Sequence, residues 1–146
     1  MTRSYIQGQY TPVNPGKYVG TYPIIFRSSW EFTVMKLLDT NPNILNWASE
    51  SLKIPYQNPF TGKYTVYIPD FVVTYVDATG KTKAEIIEVK PQKETFLEHA
   101  KTQKAKMTVT LNMFKWEAAR AFAKNHGMTF RIMNEGNIFN NPKGKA

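Results

Sequence analysis

The sequence contains no cysteine, which excludes a disulfide framework and any metal site built on thiolates. Its two histidines, His99 and His126, are far apart and do not show the spacing of paired metal ligands. A Gly-rich phosphate loop is also missing, and this argues against a nucleotide-driven motor and a nucleotide cofactor. A metal site in this chain would therefore have to use other ligands.

Apolar runs are short, and none approaches the roughly 20 residues that a membrane-spanning helix needs. The first ten residues also lack the apolar core of a secretory signal. We therefore expect a soluble, intracellular protein with no membrane partner, which the absence of cysteine also suits. The chain has 146 residues, 42% of them hydrophobic, so it is long enough for one globular domain with its own core.

Acidic residues are scarce, and residues 1–30 contain none. The formal net charge of +8 favours a polyanionic partner, most often nucleic acid, although a merely soluble basic protein would carry the same charge. Basic residues near both ends and beyond the middle of the chain would suit a groove that follows a phosphate backbone. The candidate DNA contacts are Arg27, Lys93, Lys101 and Lys104.

Turn residues and hydrophobic patterns divide the chain into three parts. Residues 1–26, with three prolines and three glycines, predict an extended arm whose tyrosines either stack on bases or pack on the domain. Residues 27–138 are predicted to form the domain, and residues 139–146 a flexible basic tail.

The domain is predicted to follow the order α, β, β, β, α, β. Ser28 is typical of a helix N-cap, and the helix that follows should bury Val34, Met35 and Leu38 and end at about Asp39. Strands are predicted at Glu50–Tyr56, Lys63–Val76, Lys83–Lys90 and, after the second helix, Met128–Met133. Short turns between the first three strands indicate an antiparallel meander. This order predicts an α+β fold in which helices cover a mixed sheet.

The second helix is predicted less sharply. Residues 94–107 look helical or mixed, and Asn112 is a candidate cap for a better helix that ends before Gly127. The residues expected on its apolar stripe are Phe114, Ala118, Ala121 and Phe122, and Trp116 is also expected in the core.

Two neighbouring strands carry polar side chains where apolar ones are expected. Pro69 interrupts the second strand, because proline cannot donate to the ladder, and Asp70 follows it directly. Glu88 and Lys90 lie two residues apart on the third strand and therefore point to the same face. A hairpin joins these strands, so Asp70 and Glu88 can meet across the pair if the register allows.

Each of these residues also has a simpler interpretation. Asp70 can be a turn carboxylate, and Glu88 with Lys90 can be a surface ion pair that contributes little. Glu31 fits a capping box with Ser28, yet it also lies on the inward-facing stripe of the first helix. Glu50 is either a supporting acid of the site or a solvated strand end.

If Asp70 and Glu88 converge, the chemistry of a magnesium site is available. Mg²⁺ prefers hard oxygen ligands and keeps much of its hydration shell, so two carboxylates are a sufficient protein contribution. Lys90 on the same face could help to deprotonate a water or stabilise the charge that builds on a phosphate. These groups together are what the hydrolysis of a phosphodiester needs.

Pro69-Asp70, Glu88-x-Lys90 and the upstream Glu31 make the sequence resemble the PD-(D/E)xK nuclease superfamily. The resemblance implies a restriction-endonuclease-like αβββαβ core. It also implies that Asp70 and Glu88 bind the metal, Mg²⁺ or alternatively Mn²⁺, that Lys90 is the catalytic lysine, and that Glu31 is an additional acid.

A narrower resemblance is to the head-completion nucleases of T-even-type phages and, more distantly, to transposon-encoded endonucleases. It is carried by residues 27–31, by residues 47–50 followed by 54–56, and by residues 88–94 and 115–119. It implies a virion protein, present in the host cytoplasm during assembly, that cuts double-stranded DNA ends and contacts head or portal-vertex proteins. The alternatives are a structural neck protein that stabilises packaged DNA without essential catalysis, and a nucleic-acid-binding module without chemistry.

Overall fold

The computed structural model describes residues 7–91, 100–134 and 136. Within these residues, two α-helices cover a central four-stranded sheet, and two short hairpin-like pairs of strands lie beside it. The strands are β1 Gly8–Tyr10, β2 Ile24–Phe26, β3 Ile44–Ser49, β4 Ile54–Gln57, β5 Tyr64–Tyr67, β6 Phe71–Val76, β7 Thr82–Val89 and β8 Thr129–Met133. The helices are α1 Ser29–Thr40 and α2 Gln103–Asn125, and a single 3₁₀ turn covers Pro15–Lys17.

The central sheet has the strand order β3-β6-β7-β8. The pairs β3–β6 and β6–β7 are antiparallel, whereas β8 runs parallel to β7 after the crossover through α2. Strands β1 and β2 pair with each other, as do β4 and β5. The mixed sheet with helices on it confirms the predicted α+β fold. Of the predicted meander, the antiparallel pairing of β6 with β7 is confirmed, whereas β4 pairs with β5 in a separate sheet.

The two faces of the sheet have separate hydrophobic cores, because the side chains of a strand alternate between faces. Ile87 and Val89 of β7 belong to the core that includes Val34 and Met35 of α1. Ile86 instead packs with Trp116 of α2 and with the β4–β5 hairpin. Glu88 has the same parity as Ile86, so β7 presents it to the α2 side.

Helix α1 forms as predicted. The Ser28 side chain accepts a hydrogen bond from the Glu31 backbone N–H, which satisfies one of the free donors of the first turn. Val34, Met35 and Leu38 are buried, as their spacing predicted.

Two of the strand predictions are wrong in their bounds. The expected first strand, Glu50–Tyr56, corresponds only to β4, Ile54–Gln57, and the preceding strand β3, Ile44–Ser49, was not predicted. Glu50, between β3 and β4, adopts a left-handed backbone with φ of 49°. The expected strand Lys63–Val76 is instead two strands, because residues 68–70 around Pro69 leave the ladder. Strong β-propensity on both sides of Pro69 hid this break in the sequence.

Helix α2 begins well before the predicted cap. Its N-cap is Thr102, whose side chain accepts from the Ala105 backbone N–H, and Asn112 is a buried residue within the helix rather than a cap. The predicted apolar stripe is also wrong, since Phe114 and Ala121 are exposed. The buried residues are Val109, Asn112, Trp116, Ala119 and Ala123. Trp116 is therefore confirmed as a core residue, and Ala118 and Phe122 of the predicted stripe are partly buried against the same core.

Within residues 7–26 of the expected N-terminal arm, several side chains pack on the domain instead of extending away from it. Tyr10, Tyr18 and Ile24 are buried in the core on the α1 side, so these tyrosines pack on the domain and are not free to stack on bases. Of residues 139–146, the expected tail, none is among those described. Within the described part of the chain, no helix is long and apolar enough to cross a membrane.

Candidate active site

The hairpin of β6 and β7 brings Asp70 to Glu88. Its register pairs Phe71 with Ile87, so Asp70 directly precedes the paired part of β6 at the point where Glu88 occurs on β7. The Val89 backbone N–H donates a hydrogen bond of 2.7 Å to Asp70 Oδ2 and thereby ties the acid to the neighbouring strand. Pro69 causes the break that frees Asp70 from the sheet ladder, so the sequence signal and the geometry agree.

Glu88 is a buried carboxylate that is held by hydrogen bonds. Glu88 is only 7% exposed, and its Oε1 accepts a hydrogen bond of 2.8 Å from the Tyr67 hydroxyl. The Asp70 carboxyl lies within hydrogen-bonding reach of Glu88. The two predicted acids therefore do converge, and a tyrosine that the sequence analysis did not select supports one of them.

The two acids disfavour being ionised together. Burial raises the pKa of Asp70 well above its ordinary value, and the negative charges of Glu88 and Glu31 raise it further. The hydrogen bond from the Val89 N–H and the charge of Lys90 lower the pKa but do not offset this increase. Burial also raises the pKa of Glu88, although Lys90, Tyr67 and Lys115 oppose the increase. This pair of carboxylates is therefore short of positive charge.

Glu31 serves the helix and faces the site at once. Its Oε1 accepts a 2.9 Å hydrogen bond from the Arg27 backbone N–H, which is a variant of the capping box one residue earlier than usual. Its negative charge also acts on Asp70, which places Glu31 beside the acid pair. The two interpretations of Glu31 are therefore compatible.

Lys90 follows the last residue of β7 and keeps its position through the backbone. Its N–H donates to the Met133 carbonyl of β8 at 3.0 Å. Its charge lowers the pKa of both Asp70 and Glu88, so the ammonium lies near both acids. The four residues named in the sequence as a constellation are therefore neighbours in the fold.

Two further polar residues of the site were missed. Tyr67 ends β5 just before Pro69, and Lys115 lies on α2 with its Nζ 5.9 Å from the centroid of the Tyr67 ring. A signal for Lys115 existed, because it is next to Trp116 and three positions after Asn112, both on the buried stripe. The wrong choice of stripe concealed it.

Arg27 lies at the other end of the acid cluster. Its guanidinium forms an ion pair with Glu50, with Nε–Oε2 and Nη2–Oε1 distances of 3.3 and 3.2 Å. The Glu50 backbone N–H donates to the Asp70 carbonyl at 2.9 Å, so this pair is fixed to the same turn as Asp70. A planar guanidinium that is half exposed beside the acids can contact a phosphate.

The remaining candidate DNA contacts are less well connected to the site. Lys101 precedes the N-cap of α2 and Lys104 lies in its first turn, and both are exposed. Lys104 precedes Lys115 by eleven residues, which is about 16 Å along a helix. Lys93 lies outside the described residues.

The donor set fits a hard divalent cation. In the part of the chain that the structure describes, no cluster of three or more His, Cys, Asp or Glu side chains is arranged to hold a metal ion. Asp70 and Glu88 supply two carboxylates, and Mg²⁺ is commonly held by one or two carboxylates together with water. Burial raises the pKa of both carboxyl groups, and a nearby positive charge would favour their ionised forms.

Comparison with known proteins agrees with this geometry. The chain is 35% identical to the head completion nuclease of Enterobacteria phage T4, and the match covers 90% of this chain and 92% of that protein. The family described as TnsA-like endonuclease N terminal matches residues 41–135, a span that includes Asp70, Glu88, Lys90 and Lys115. The chain therefore belongs to the TnsA-like endonuclease N-terminal family, which is of the PD-(D/E)xK nuclease type.

Proposed function

We propose that this chain is a divalent-metal-dependent endonuclease that cuts double-stranded DNA during the completion of a phage head. The observation that carries the proposal is the convergence of Asp70 and Glu88 at the end of the β6–β7 hairpin, with Lys90 beside both acids. The similarity to the phage T4 protein supports the setting, which would be the virion and, during assembly, the host cytoplasm.

Asp70 and Glu88 would hold the metal, Mg²⁺ or Mn²⁺. When bound, the ion would supply positive charge to the scissile phosphate and acidify the attacking water. The Tyr67 hydroxyl and the Val89 N–H each orient one of the two carboxylates, because each donates to one of their oxygens.

Lys90 and Glu31 have distinct roles in this proposal. Lys90 stabilises the negative charge that develops on the phosphate, since its ammonium lies on the same side of β7 as Glu88. Glu31 orients the attacking water from the N-terminus of α1, where its backbone bond to Arg27 fixes its rotamer. Arg27, which is paired with Glu50 at one end of the site, contacts the phosphate backbone.

The experiment that tests this function is cleavage of a supercoiled plasmid with and without Mg²⁺. We expect the wild-type chain to cut only with the metal. Asp70→Asn and Lys90→Met should each lower the rate by at least about a hundredfold, the size of effect that single electrostatic groups have on a rate. Lys124→Met, an exposed lysine at the end of α2, is the matched control and should cut normally. Cleavage without metal, or equal cleavage by all variants, would contradict the proposal.

The structural alternative requires a separate readout. A chain with Asp70→Asn and Glu88→Gln keeps the shape of the site while removing its charges. We expect particles assembled with this variant to be defective in head completion. If they were fully infective, the protein would act as a structural component at the portal vertex and catalysis would not be essential.

A further inference from the structure

Lys115 is a cation on the inner side of α2 that the proposed function does not use. It lies at the edge of the buried stripe, next to Trp116, and so points toward the sheet and not away from it. Its Nζ is 5.9 Å from the centroid of the Tyr67 ring, a distance at which the ring face attracts a cation. On its own helix the nearest acid is Glu117, which pairs with Arg120.

The position of Lys115 relative to the catalytic acids follows from Tyr67. The Tyr67 hydroxyl donates to Glu88 Oε1 at 2.8 Å, so a cation over that ring lies close to Glu88. The charge of Lys115 accordingly lowers the pKa of Glu88. Burial, and then the neighbouring charge of Lys90, lower the pKa of Lys115 itself. Two ammonium groups from different elements therefore converge on one acid.

Without metal, the negative charges of Asp70 and Glu88 act on the nearby lysines. A divalent cation bound by the two acids would neutralise that negative charge, so the ammonium of Lys115 beside Glu88 would attract another anion. The anion that a nuclease brings to this place is the phosphate backbone of its substrate. The chain thus prepares positive charge on two sides of Glu88, from β7 and from α2.

We infer that Lys115 is a phosphate-binding residue of the active site, whose ammonium contacts a phosphate oxygen of the DNA strand that is cut. The inference rests on the proposed function for the identity of the anion. It assigns to α2 a share in substrate binding that lies beyond the acid and lysine motif on the strands.

The test is DNA binding measured as a function of salt, without divalent ions, in the chain with Asp70→Asn and Glu88→Gln, whose neutral side chains imitate the charge of the acids with a metal bound. Fluorescence anisotropy of a short labelled duplex gives the slope of log K against log salt concentration, and each phosphate that a protein cation neutralises contributes about 0.9 to that slope. Lys115→Met keeps the aliphatic stem over Tyr67 and removes the charge, so its slope should be shallower by about 0.9. Lys115→Arg should keep the slope, and Lys124→Met on the same helix should leave it unchanged.

Cleavage kinetics give a second readout that a merely structural role would not produce. With Mg²⁺, Lys115→Met should raise KM several-fold with a smaller effect on kcat, and Lys115→Arg should restore most of the loss. Equal melting temperatures for wild type and Lys115→Met show that the fold is intact, and Lys115→Gln replaces that variant if it does not fold.

The outcomes separate this inference from the proposed function. An unchanged slope in Lys115→Met overturns the inference, even if the wild type cleaves DNA. If the wild type binds DNA but never cleaves it with Mg²⁺ or Mn²⁺, the proposed function fails, while a reduced slope still identifies Lys115 as a residue that binds DNA.

Discussion

At the scale of single residues, the site depends on what keeps Glu88 in place. A buried carboxylate is costly unless its oxygens are satisfied. Here Tyr67 supplies a hydroxyl, and Lys90 and Lys115 supply charge. Burial, followed by the charge of Glu88, raises the pKa of Tyr67 far above its ordinary value, so this hydroxyl stays a donor at every working pH.

Tyr67→Phe should therefore weaken metal-dependent cleavage. Without the hydroxyl, one Glu88 oxygen loses its donor, the pKa of Glu88 rises further and the carboxylate is less available to a cation. Loss of a group that supports a metal ligand typically costs about 10- to 100-fold in metal affinity or activity. The measurement is the cleavage rate over a series of Mg²⁺ concentrations. Tyr64→Phe, on the same strand but 76% exposed, is the control, and equal Mg²⁺ dependence of the two variants would contradict the role of Tyr67.

At the scale of elements, one buried acid at the end of α1, Asp39, forms hydrogen bonds to the N-terminal segment, residues 10–14. Asp39 accepts hydrogen bonds from the Tyr10 hydroxyl at 2.6 Å and from the backbone N–H groups of Val13 and Asn14 at 2.7 and 3.0 Å. Asn14 returns a bond from its side chain to the Asp39 carbonyl. These contacts hold the segment against the helix that presents Glu31.

Asp39→Asn should destabilise the fold in a pH-dependent way. Burial alone would raise the pKa of Asp39, but the hydrogen bonds from Tyr10, Val13 and Asn14 outweigh it and lower the pKa. A lowered pKa means that the acid stabilises the fold above its unfolded value of about 3.9 and that this contribution is lost as the pH falls through the folded value.

At pH 7 the variant should lose about 1–3 kcal/mol of unfolding free energy, the usual cost of an unsatisfied buried group. Urea denaturation at several pH values measures this, and the difference from wild type should shrink below about pH 4. Tyr22→Phe, at an exposed tyrosine of the same segment, should leave stability unchanged. A difference that stayed constant with pH would exclude an ionised Asp39 as the cause.

At the scale of the whole molecule, the sheet separates two hydrophobic cores, and the acid cluster draws residues from both sides of the sheet. Glu31 comes from the α1 side, whereas Glu88, Tyr67 and Lys115 belong to the α2 side. Because Asp70 and Glu88 have raised pKa values, their ionisation works against the folded state, and stability should fall as the pH rises above their unfolded values. In the metal-free molecule, the ionised acids of the site therefore lower the free energy of unfolding.

Divalent metal should therefore stabilise the folded wild-type chain. The substitution Asp70→Asn should stabilise the fold in the absence of metal, because it removes one of the two charges. A ligand at a hundredfold excess over its Kd contributes about 2.7 kcal/mol to the unfolding free energy. Thermal melting at pH 8 should show a higher Tm for the wild type with Mg²⁺ than with EDTA. Asp70→Asn should melt above the metal-free wild type and respond little to Mg²⁺. An Asp77→Asn control lies in an exposed turn and should respond to Mg²⁺ as the wild type does. Equal responses in Asp70→Asn and wild type would place the metal elsewhere.

The sequence by itself determined the fold class, the first helix and the four polar residues of the constellation. These depend on local signals: a Ser28 cap, alternation along β7, a proline before Asp70, and a hairpin turn that forces two strands to pair. Such signals act over a few residues, so they can be read without knowing the fold. Periodicity failed for α2, because a stripe that includes Asn112 and lies beside Lys115 is not recognisably apolar.

Only the tertiary structure decided which groups from distant elements surround the acids. Nothing local joins Tyr67 of β5 or Lys115 of α2 to Glu88, and nothing local predicts that Glu50 turns through a left-handed backbone to hold Arg27 beside Asp70. These contacts arise from the packing of the β4–β5 hairpin and α2 on one face of the sheet and of α1 on the other. The sequence determined the acids and the lysine of the motif, and packing determined the cations and hydrogen-bond donors around them.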